Sequence, residues 1–151
     1  MPLRYCMGDI FTASAQVIVN PVNCKGVMGK GLAQAFKRRY PAMFVVYQQE
    51  CRTGKLRIGQ PTLYRESKPW ILNFPTKDHW REDSKLEYLE QGLQYFVDHY
   101  KEMGIQSIAF PKLGAGLGKL SWEEVGPLMV RYLGQVDCEV MIYIAEGDRE
   151  Y

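Results

Sequence analysis

A short apolar run that leads through a glycine-rich loop into a helical pattern constrains this chain more than any other stretch. The run is Val17–Val19, it stops at Asn20 and Pro21, and the helical pattern begins at Leu32. Residues 25–31 between them hold three glycines and two lysines. A buried strand that continues through such a loop into a helix leaves backbone N–H groups free to hold an anion. The stretch is therefore a candidate phosphate-binding loop, although glycines at such turns often serve only the backbone angles.

Two asparagines, Asn20 and Asn23, flank the proline at the end of this predicted strand. Side-chain amides are poor core residues, and their donors and acceptors suit the hydroxyl groups of a sugar. The pair therefore strengthens the interpretation as a phosphate-binding loop and adds a sugar to the expected ligand.

The rest of the chain alternates short apolar strands with amphipathic helices, which predicts a central sheet covered on both faces. The predicted strands are Leu3–Met7, Val17–Val19, Thr62–Tyr64, Trp70–Phe74, Ile105–Phe110 and Glu139–Ile144, with the third and fourth forming a hairpin. The predicted helices run from Gly31 to Tyr40, from Pro41 through Tyr47, from a capping box of Ser84 and Glu87 to Met103, and from a second box of Ser121 and Glu124 to Leu133. Gly126 and Pro127 are expected to kink the last helix or delay its start, and residues 146–151 are expected to fray.

A second glycine-rich segment, Gly114–Gly118, follows the strand that ends at Phe110. Ligands of α/β sheets bind at the carboxyl ends of the strands, so the two loops are placed to flank one pyrophosphate. Neither loop fits the GxGxxG pattern with its ribose-binding acid or the Walker pattern that ends in GK[ST]. These mismatches disfavour dinucleotide redox chemistry and phosphoryl transfer.

Composition narrows the class of protein further. The 151 residues suffice for one domain, and a net charge of +2 does not indicate a strongly basic nucleic-acid binder. No run approaches the roughly 20 apolar residues that cross a bilayer, and no charged-then-apolar leader opens the chain, so we expect a cytoplasmic protein with no membrane partner. Four scattered cysteines and two histidines argue against a zinc site or a disulfide framework. Cys24 lies in the first loop, where a bystander thiol is the favoured interpretation.

Three segments together resemble the macrodomain pattern, namely Gly8-Asp9-Ile10, Val19–Asn23 and Gly114–Gly118, and the likeness covers essentially the whole chain. Met28–Ala33 and Asn73–Lys77 resemble the DarG branch of that family. Members of this branch are antitoxins that remove ADP-ribose from thymidine bases of single-stranded DNA and so reverse the DarT toxin. The resemblance implies an α/β fold, a three-layer α/β/α sandwich around a mixed central sheet. It also implies a single macrodomain over residues 1–151, at the front of a longer antitoxin.

The resemblance also assigns ligand contacts. Asp9 would accept a hydrogen bond from the adenine amino group, with Ile10 near the ring, although the residues alone favour a turn role for Asp9 after Gly8. Asn23 would meet the distal ribose, and the two loops would wrap the distal ribose and the diphosphate. The set predicted to bind ADP-ribose is Asp9, Ile10, Asn20, Asn23, Lys25, Gly26, Val27, Met28, Gly29, Lys30, Gly31, Gly114, Ala115, Gly116, Leu117 and Gly118. ADP-ribose would be substrate and product, with no cofactor and no metal.

The resemblance assigns catalysis to a lysine. Most glycosidases use two carboxylates, and neither glycine loop contains one. Lys77 matches the catalytic lysine of the DarG branch and of the related terminal ADP-ribose protein glycohydrolase, whereas the residues alone would favour a solvated loop cation. A neutral Lys77 amine could attack the anomeric carbon of the distal ribose. Alternatively, its ammonium could protonate or polarise the leaving thymine while water attacks.

Departures from neighbouring families favour the DNA-directed branch. The protein glycohydrolase pairs its lysine with an aspartate at the place that Gly118 occupies here. The Gly-Gly-Gly motif of mono-ADP-ribosyl-protein hydrolases and the paired glutamates of poly(ADP-ribose) glycohydrolases are also missing. His79, Trp80 and Arg81 follow Lys77 and are possible contacts for a DNA strand, although loop aromatics often pack on their own domain.

These observations predict a glycohydrolase whose partners are ADP-ribosylated single-stranded DNA and a cognate DarT-type toxin, with the toxin contact either in this chain or in a region outside it. Two alternatives stay open at this point. One is an enzyme that removes ADP-ribose from protein glutamates or deacylates O-acyl-ADP-ribose. The other is a reader that binds ADP-ribose without turnover.

Overall fold

The computed structural model describes residues 2–151. Within that range the chain forms six strands, four α-helices and one 3-10 turn, Ile10–Thr12. The strands are β1 (Leu3–Met7), β2 (Val17–Val22), β3 (Thr62–Tyr64), β4 (Trp70–Pro75), β5 (Ser107–Phe110) and β6 (Glu139–Ile144). The helices are α1 (Gly31–Arg39), α2 (Pro41–Thr53), α3 (Leu86–His99) and α4 (Trp122–Leu133). Every predicted strand and helix is present, with shifts of a few residues at some ends.

The strands form one sheet in the order β1-β6-β5-β2-β4-β3. All neighbouring pairs are parallel except β3 and β4, which form the predicted antiparallel hairpin. The sheet is therefore mixed, as predicted. Since β1, β2, β4, β5 and β6 all run in one direction, their last residues lie along one edge, called here the C-terminal edge. The loops that follow these five strands are thereby brought together.

Alternation along β2 divides the core between two faces of the sheet. Val17 and Val19 pack with the cluster that holds the inner faces of α3 and α4. Ile18 points the other way and packs with Phe36 of α1 and Met43 of α2. Burial of each such side chain contributes roughly 1.5–3 kcal/mol, which pins the strand register. The predicted three-layer α/β/α sandwich is confirmed.

Strand β2 does not stop at Asn20 and Pro21, as its sequence suggested, but continues to Val22. The Trp70 N–H of β4 donates to the Gln16 carbonyl oxygen at 2.9 Å. The Thr76 N–H, directly after β4, donates to the Val22 carbonyl oxygen at 2.9 Å. Pro21 therefore turns its nitrogen away from β4, and it lies beyond Ile18, the last β2 residue in register with β5. A proline is tolerated there because no ladder hydrogen bond requires its N–H.

Helix α4 begins directly after its cap and is not delayed by Gly126 and Pro127. The Ser121 hydroxyl oxygen accepts the Glu124 N–H at 3.2 Å, so Ser121 caps the helix as predicted, and its hydroxyl donates to Glu124 Oε1 at 3.0 Å. The tail does not fray either. Trp122 Nε1 donates to the Arg149 carbonyl oxygen at 2.8 Å. The Tyr151 ring lies where a Cβ atom at position 126 would stand, so the glycine leaves a groove that holds the tail.

Among residues 2–151, no helix combines the length and the apolar composition that crossing a bilayer requires.

Candidate active site

Three loops at the centre of the C-terminal edge carry most of the predicted site residues. The first glycine loop is residues 23–30, after β2. The lysine segment is residues 76–85, after β4, and the second glycine loop is residues 111–120, after β5. Because β5, β2 and β4 are neighbours in the sheet, these loops lie side by side, with the first glycine loop in the middle.

Asn23 organises the first glycine loop from within. Its side chain is 7% exposed, and its Nδ2 donates to the Val27 carbonyl oxygen at 2.7 Å. Its Oδ1 accepts the Lys25 N–H at 2.9 Å, while the Tyr47 hydroxyl donates to the Asn23 carbonyl oxygen at 2.8 Å. A side chain that bonds its own backbone a few residues on is a stable turn device. The predicted contact of Asn23 with a ribose stays a prediction.

Asn20 lies beneath the loop and does not face the cleft. The residue is 0% exposed, and its Nδ2 donates to Asn73 Oδ1 at 3.0 Å across the β2–β4 register. Its Nδ2 also lies 3.8 Å from the Met28 sulfur. The structure therefore gives no support to the expected sugar contact of Asn20, because the strand continues through this position and turns the side chain into the interior.

The lysine segment is tied to the first glycine loop on both sides of Lys77. The Thr76 N–H donates to the Val22 carbonyl oxygen, and the Cys24 N–H donates to the Asp78 carbonyl oxygen, each at 2.9 Å. Lys25 Nζ lies 3.7 Å from Asp78 Oδ2. The backbone at Lys77 is thus fixed between two anchored neighbours.

The Lys77 side chain is half-buried. None of the ion pairs formed within residues 2–151 includes it. Its amine is therefore available for a ligand, and no carboxylate of the described chain holds it in an ion pair.

The lysine segment also supports the second glycine loop. The Ser84 N–H donates to the Gly118 carbonyl oxygen at 3.0 Å, and the Ser84 side chain is 4% exposed. A Cβ atom at position 118 would overlap Ser84 Oγ and lie 2.6 Å from the Gly114 carbonyl oxygen. No side chain fits at position 118 while Ser84 holds this place. Packing therefore excludes an aspartate there.

This contact overturns the first predicted capping box. The N-cap of α3 is Lys85, which makes no side-chain cap hydrogen bond, and the buried Ser84 hydroxyl has no partner within residues 2–151. The helix itself forms as predicted, because its apolar face still packs on the sheet. Ser84 is drawn under the glycine loop instead of onto the helix end.

Leu117 of the second glycine loop reaches Gly31, the residue that directly follows the first glycine loop. Its Cδ1 lies 3.0 Å from the position that a Cβ atom at Gly31 would take, at the start of α1. The side chain is nevertheless 57% exposed. An apolar side chain that is exposed and bridges two glycine-rich loops is placed to cover a ligand lying between them.

Asp9 lies at the far end of the edge, after β1. Its Oδ1 accepts the Phe11 N–H at 2.9 Å and starts the 3-10 turn, which is the turn role expected for an aspartate there. Ile10 is buried in the core. Contacts of both residues with an adenine stay predictions. Four strand spacings separate β1 from β4 in the sheet, which is about 19 Å at the usual spacing.

The three residues after Asp78 form a small cluster on the surface. The Arg81 guanidinium lies 4.5 Å from the centroid of the Trp80 ring, and the His79 ring lies 5.1 Å from it. The Arg81 N–H donates to His79 Nδ1 at 3.1 Å, so a neutral His79 carries its proton on Nε2. Trp80 is 42% exposed, yet Arg81 already lies over its ring. Stacking of a nucleobase on Trp80 stays a prediction.

Cys24 is unsuited to act as a nucleophile. Burial, with a smaller contribution from the Asp78 charge, raises the pKa of its thiol to about 12. The thiol therefore stays protonated near neutral pH. Across residues 2–151, no group of three or more His, Cys, Asp and Glu side chains is arranged to hold a metal ion.

Sequence reasoning missed three structural roles in this site, those of Asp78, Ser84 and Leu117. For Asp78 a signal existed, because opposite charges in two neighbouring loops, Lys25 and Asp78, favour contact. For Ser84 the sequence signal pointed elsewhere, towards helix capping. Nothing local indicates that Leu117 reaches Gly31.

Comparison with known proteins places this geometry in a family. A family model for the Macro domain matches residues 19–129. The DNA ADP-ribosyl glycohydrolase of Mycobacterium tuberculosis is 43% identical over 150 residues, which cover 96% of this chain and 43% of that protein. The chain spans 40–43% of the length of the curated relatives it matches at 41–43% identity.

Solved structures agree with the sequence comparison. The macrodomain of Mycobacterium tuberculosis DarG superposes with a TM-score of 0.89 at 42% identity, over 93% of this chain and 96% of that chain. Thermosipho africanus DarTG in complex with ADP-ribose superposes with a TM-score of 0.90 at 42% identity, over 97% of this chain and 43% of that chain.

Proposed function

The chain belongs to the Macro domain family, and from that premise we propose that it is an ADP-ribosyl glycohydrolase that removes ADP-ribose from thymidine bases of single-stranded DNA. The observation that carries the proposal is the order of the loops along the C-terminal edge. From β1 to β4 they present Asp9, then the second glycine loop, then the first glycine loop, then Lys77. This is the order in which an extended ADP-ribose presents adenine, diphosphate, distal ribose and reacting bond.

The span of the site supports an elongated ligand. About 19 Å separate the ends of β1 and β4, and the glycine loops between them offer backbone N–H groups to a diphosphate. Similarity to the Thermosipho africanus protein, solved in complex with ADP-ribose, supports the same ligand here.

The reaction we propose depends on Lys77. Neither glycine loop carries a carboxylate, and Ser84 leaves no room for one at position 118. Lys77 is then a cation that backbone hydrogen bonds hold next to the first glycine loop and that has no ion-pair partner within residues 2–151. Similarity at 43% identity to a DNA ADP-ribosyl glycohydrolase supports the DNA-directed reaction.

Two routes break the bond between the anomeric carbon of the distal ribose and the thymine nitrogen. In the first, the neutral Lys77 amine forms a bond to the anomeric carbon as the bond to the thymine nitrogen breaks, the proton that the amine loses goes to that nitrogen, and water then releases ADP-ribose and regenerates the amine. In the second, the ammonium gives a proton to the leaving thymine nitrogen while water adds its hydroxyl to the anomeric carbon, and the remaining proton of water returns to the amine. Both routes yield unmodified thymidine and free ADP-ribose.

We propose a DarT-type toxin as the cognate partner. Support comes from the Thermosipho africanus relative, which is named a fusion of a DNA ADP-ribosyl transferase with a DNA ADP-ribosyl glycohydrolase. Contact with such a toxin could lie outside this chain. A cytoplasmic location and turnover without cofactor or metal also belong to the proposal.

A substrate panel tests the proposal. The wild type is incubated in EDTA with three substrates: an oligonucleotide carrying one ADP-ribosylated thymidine, a peptide with ADP-ribosylated glutamate, and O-acetyl-ADP-ribose. ADP-ribose affinity is measured by calorimetry. We expect saturable ADP-ribose binding and turnover of the DNA substrate. Turnover of the esters alone would establish the protein-directed alternative, and binding with no turnover would establish a reader.

A further inference from the structure

A stretch of forty residues without a carboxylate surrounds the first glycine loop. Residues 10–49 contain no Asp or Glu. Their basic residues are Lys25, Lys30, Lys37, Arg38 and Arg39. The stretch carries +5 while the whole chain carries +2, which leaves −3 on the other 111 residues. The net positive charge of this protein therefore comes from the stretch that contains the first glycine loop.

Little of this charge is neutralised within the fold. Of the five cations, Lys25 alone has an ion-pair partner among residues 2–151, namely Asp78. Lys37 and Arg38 lie in the last turn of α1, and both are exposed. An unneutralised cluster of this kind attracts polyanions over about 10 Å at 0.1 M salt.

The same corner contains a concavity of about 300 Å³ between the end of α1 and the start of α2. Its lining residues are Met28, Gly29, Gln34, Lys37, Arg38, Pro41 and Phe44. Two of them, Met28 and Gly29, belong to the first glycine loop, so the concavity borders the candidate active site. Lys37 Nζ lies 4.4 Å from the centroid of the half-buried Phe44 ring.

We propose that this corner, called here the basic corner, binds the single-stranded DNA next to the modified nucleotide. Lys37 and Arg38 would contact phosphates, and Phe44 would pack against a base or sugar. Proteins that hold single strands combine a positively charged groove with aromatic side chains in this way. The inference rests on the proposed function for the identity of the strand, and it adds the surface along which that strand runs.

A salt titration tests the basic corner without any catalysis. Binding of an unmodified, fluorescently labelled single-stranded oligonucleotide is measured by anisotropy for the wild type and for Lys37→Gln/Arg38→Gln. Loss of two phosphate contacts should reduce the slope of log K against log salt by about 1.4. At 0.1 M salt this corresponds to roughly 25-fold weaker binding.

The matched control is Lys68→Gln/Lys101→Gln, which removes the same charge from two exposed lysines that lie before β4 and β5, at the opposite edge of the sheet. It should bind the oligonucleotide as the wild type does. An equal loss in the control, or an unchanged slope in Lys37→Gln/Arg38→Gln, would overturn the inference. The inference would also be overturned if Lys37→Gln/Arg38→Gln bound a DarT-type toxin more weakly than the wild type does but bound the oligonucleotide equally well.

Turnover separates this inference from the proposed function. With an ADP-ribosylated thymidine inside a long oligonucleotide, Lys37→Gln/Arg38→Gln should raise KM and leave kcat unchanged. With a modified dinucleotide, both constants should stay near the wild type, as should the affinity for ADP-ribose. If oligonucleotides bind through the basic corner but modified DNA is not turned over, the proposed function is wrong and the inference about the basic corner is supported. If modified DNA is turned over and Lys37→Gln/Arg38→Gln leaves KM unchanged, the inference about the basic corner is wrong and the proposed function is supported.

Discussion

Position 118 shows at the scale of one residue how packing sets the chemistry of a loop. A Cβ atom there would overlap Ser84 Oγ and approach the Gly114 carbonyl oxygen to 2.6 Å. The second glycine loop therefore has a glycine at this position, and no carboxylate fits there. This absence leaves Lys77 as the residue on which the proposed reaction depends.

The first prediction concerns this contact. Gly118→Ala should lower the free energy of unfolding by about 1–3 kcal/mol, because the added methyl overpacks a filled space. Adding Ser84→Gly should restore part of the loss, since the serine side chain is removed while the Gly114 carbonyl remains. Urea unfolding of both single variants and the double variant measures the coupling. Additive losses in the double variant would show that the two positions do not compete for space.

The second prediction concerns the thiol in the first glycine loop. Burial raises the pKa of Cys24 to about 12, so the reactive thiolate is scarcer at pH 7.5 than for a free cysteine, roughly by a factor of a thousand or more. Alkylation of Cys24 by iodoacetamide should be correspondingly slow and should rise about tenfold per pH unit. Peptide-resolved mass spectrometry gives the rate, with glutathione as the reference. Labelling as fast as glutathione at pH 7.5 would contradict this account of the loop.

At the scale of elements, the loop after β5 is joined to the loop after β6. Lys112 Nζ donates to Asp148 Oδ2 at 2.7 Å, and the same oxygen accepts the Ala145 N–H at 2.8 Å. The hydrogen bond from the Lys112 ammonium, followed by that of the Ala145 N–H, lowers the pKa of Asp148. Together with Trp122 and Tyr151, this pair holds the tail that the sequence suggested would fray.

The third prediction follows from the sign of that shift. Because the folded pKa of Asp148 lies below its unfolded value of 3.8, the ion pair stabilises the fold above that value and is lost as pH falls through the folded pKa. Asp148→Asn should therefore unfold at a lower temperature than the wild type at pH 7. The difference should shrink as the pH falls below about 4. A difference in melting temperature that is constant from pH 7 to pH 3 would contradict it.

Periodicity predicted the elements well, because local burial decides them. The apolar face of α3 forms its helix even though its expected cap, Ser84, lies elsewhere. The failures share a different cause. Whether β2 stops at Pro21 depends on whether a neighbouring strand requires a backbone N–H at that position, which proline lacks. Whether the tail frays depends on the groove that Gly126 leaves for the Tyr151 ring. Both are set by residues distant in sequence, so no local pattern could reveal them.

At the scale of the whole molecule, strand order decides how the site is laid out. The glycine loops, Asp9 and Lys77 were found from the sequence, but their order along the edge follows from the order β1-β6-β5-β2-β4. Cavity size is a poor guide to this site. A larger concavity of about 610 Å³ lies between the turn at residues 57–60 and helices α3 and α4, and none of the predicted site residues lines it.

The central claim is that Lys77 performs the chemistry at one end of this ordered edge. The measurement that tests it most directly is single-turnover hydrolysis of an oligonucleotide with one ADP-ribosylated thymidine, by the wild type, Lys77→Ala and the control Lys85→Ala. Lys85→Ala removes an exposed lysine from the same segment. ADP-ribose affinity is measured for all three by calorimetry.

We predict that Lys77→Ala slows hydrolysis by about 10²–10⁴-fold while ADP-ribose affinity changes little, since proton transfer or nucleophilic attack is lost and the glycine loops are not. Lys85→Ala should hydrolyse the substrate at the rate of the wild type. Equal rates for Lys77→Ala and the wild type would contradict the account, because the reaction would then have to proceed through groups other than this lysine.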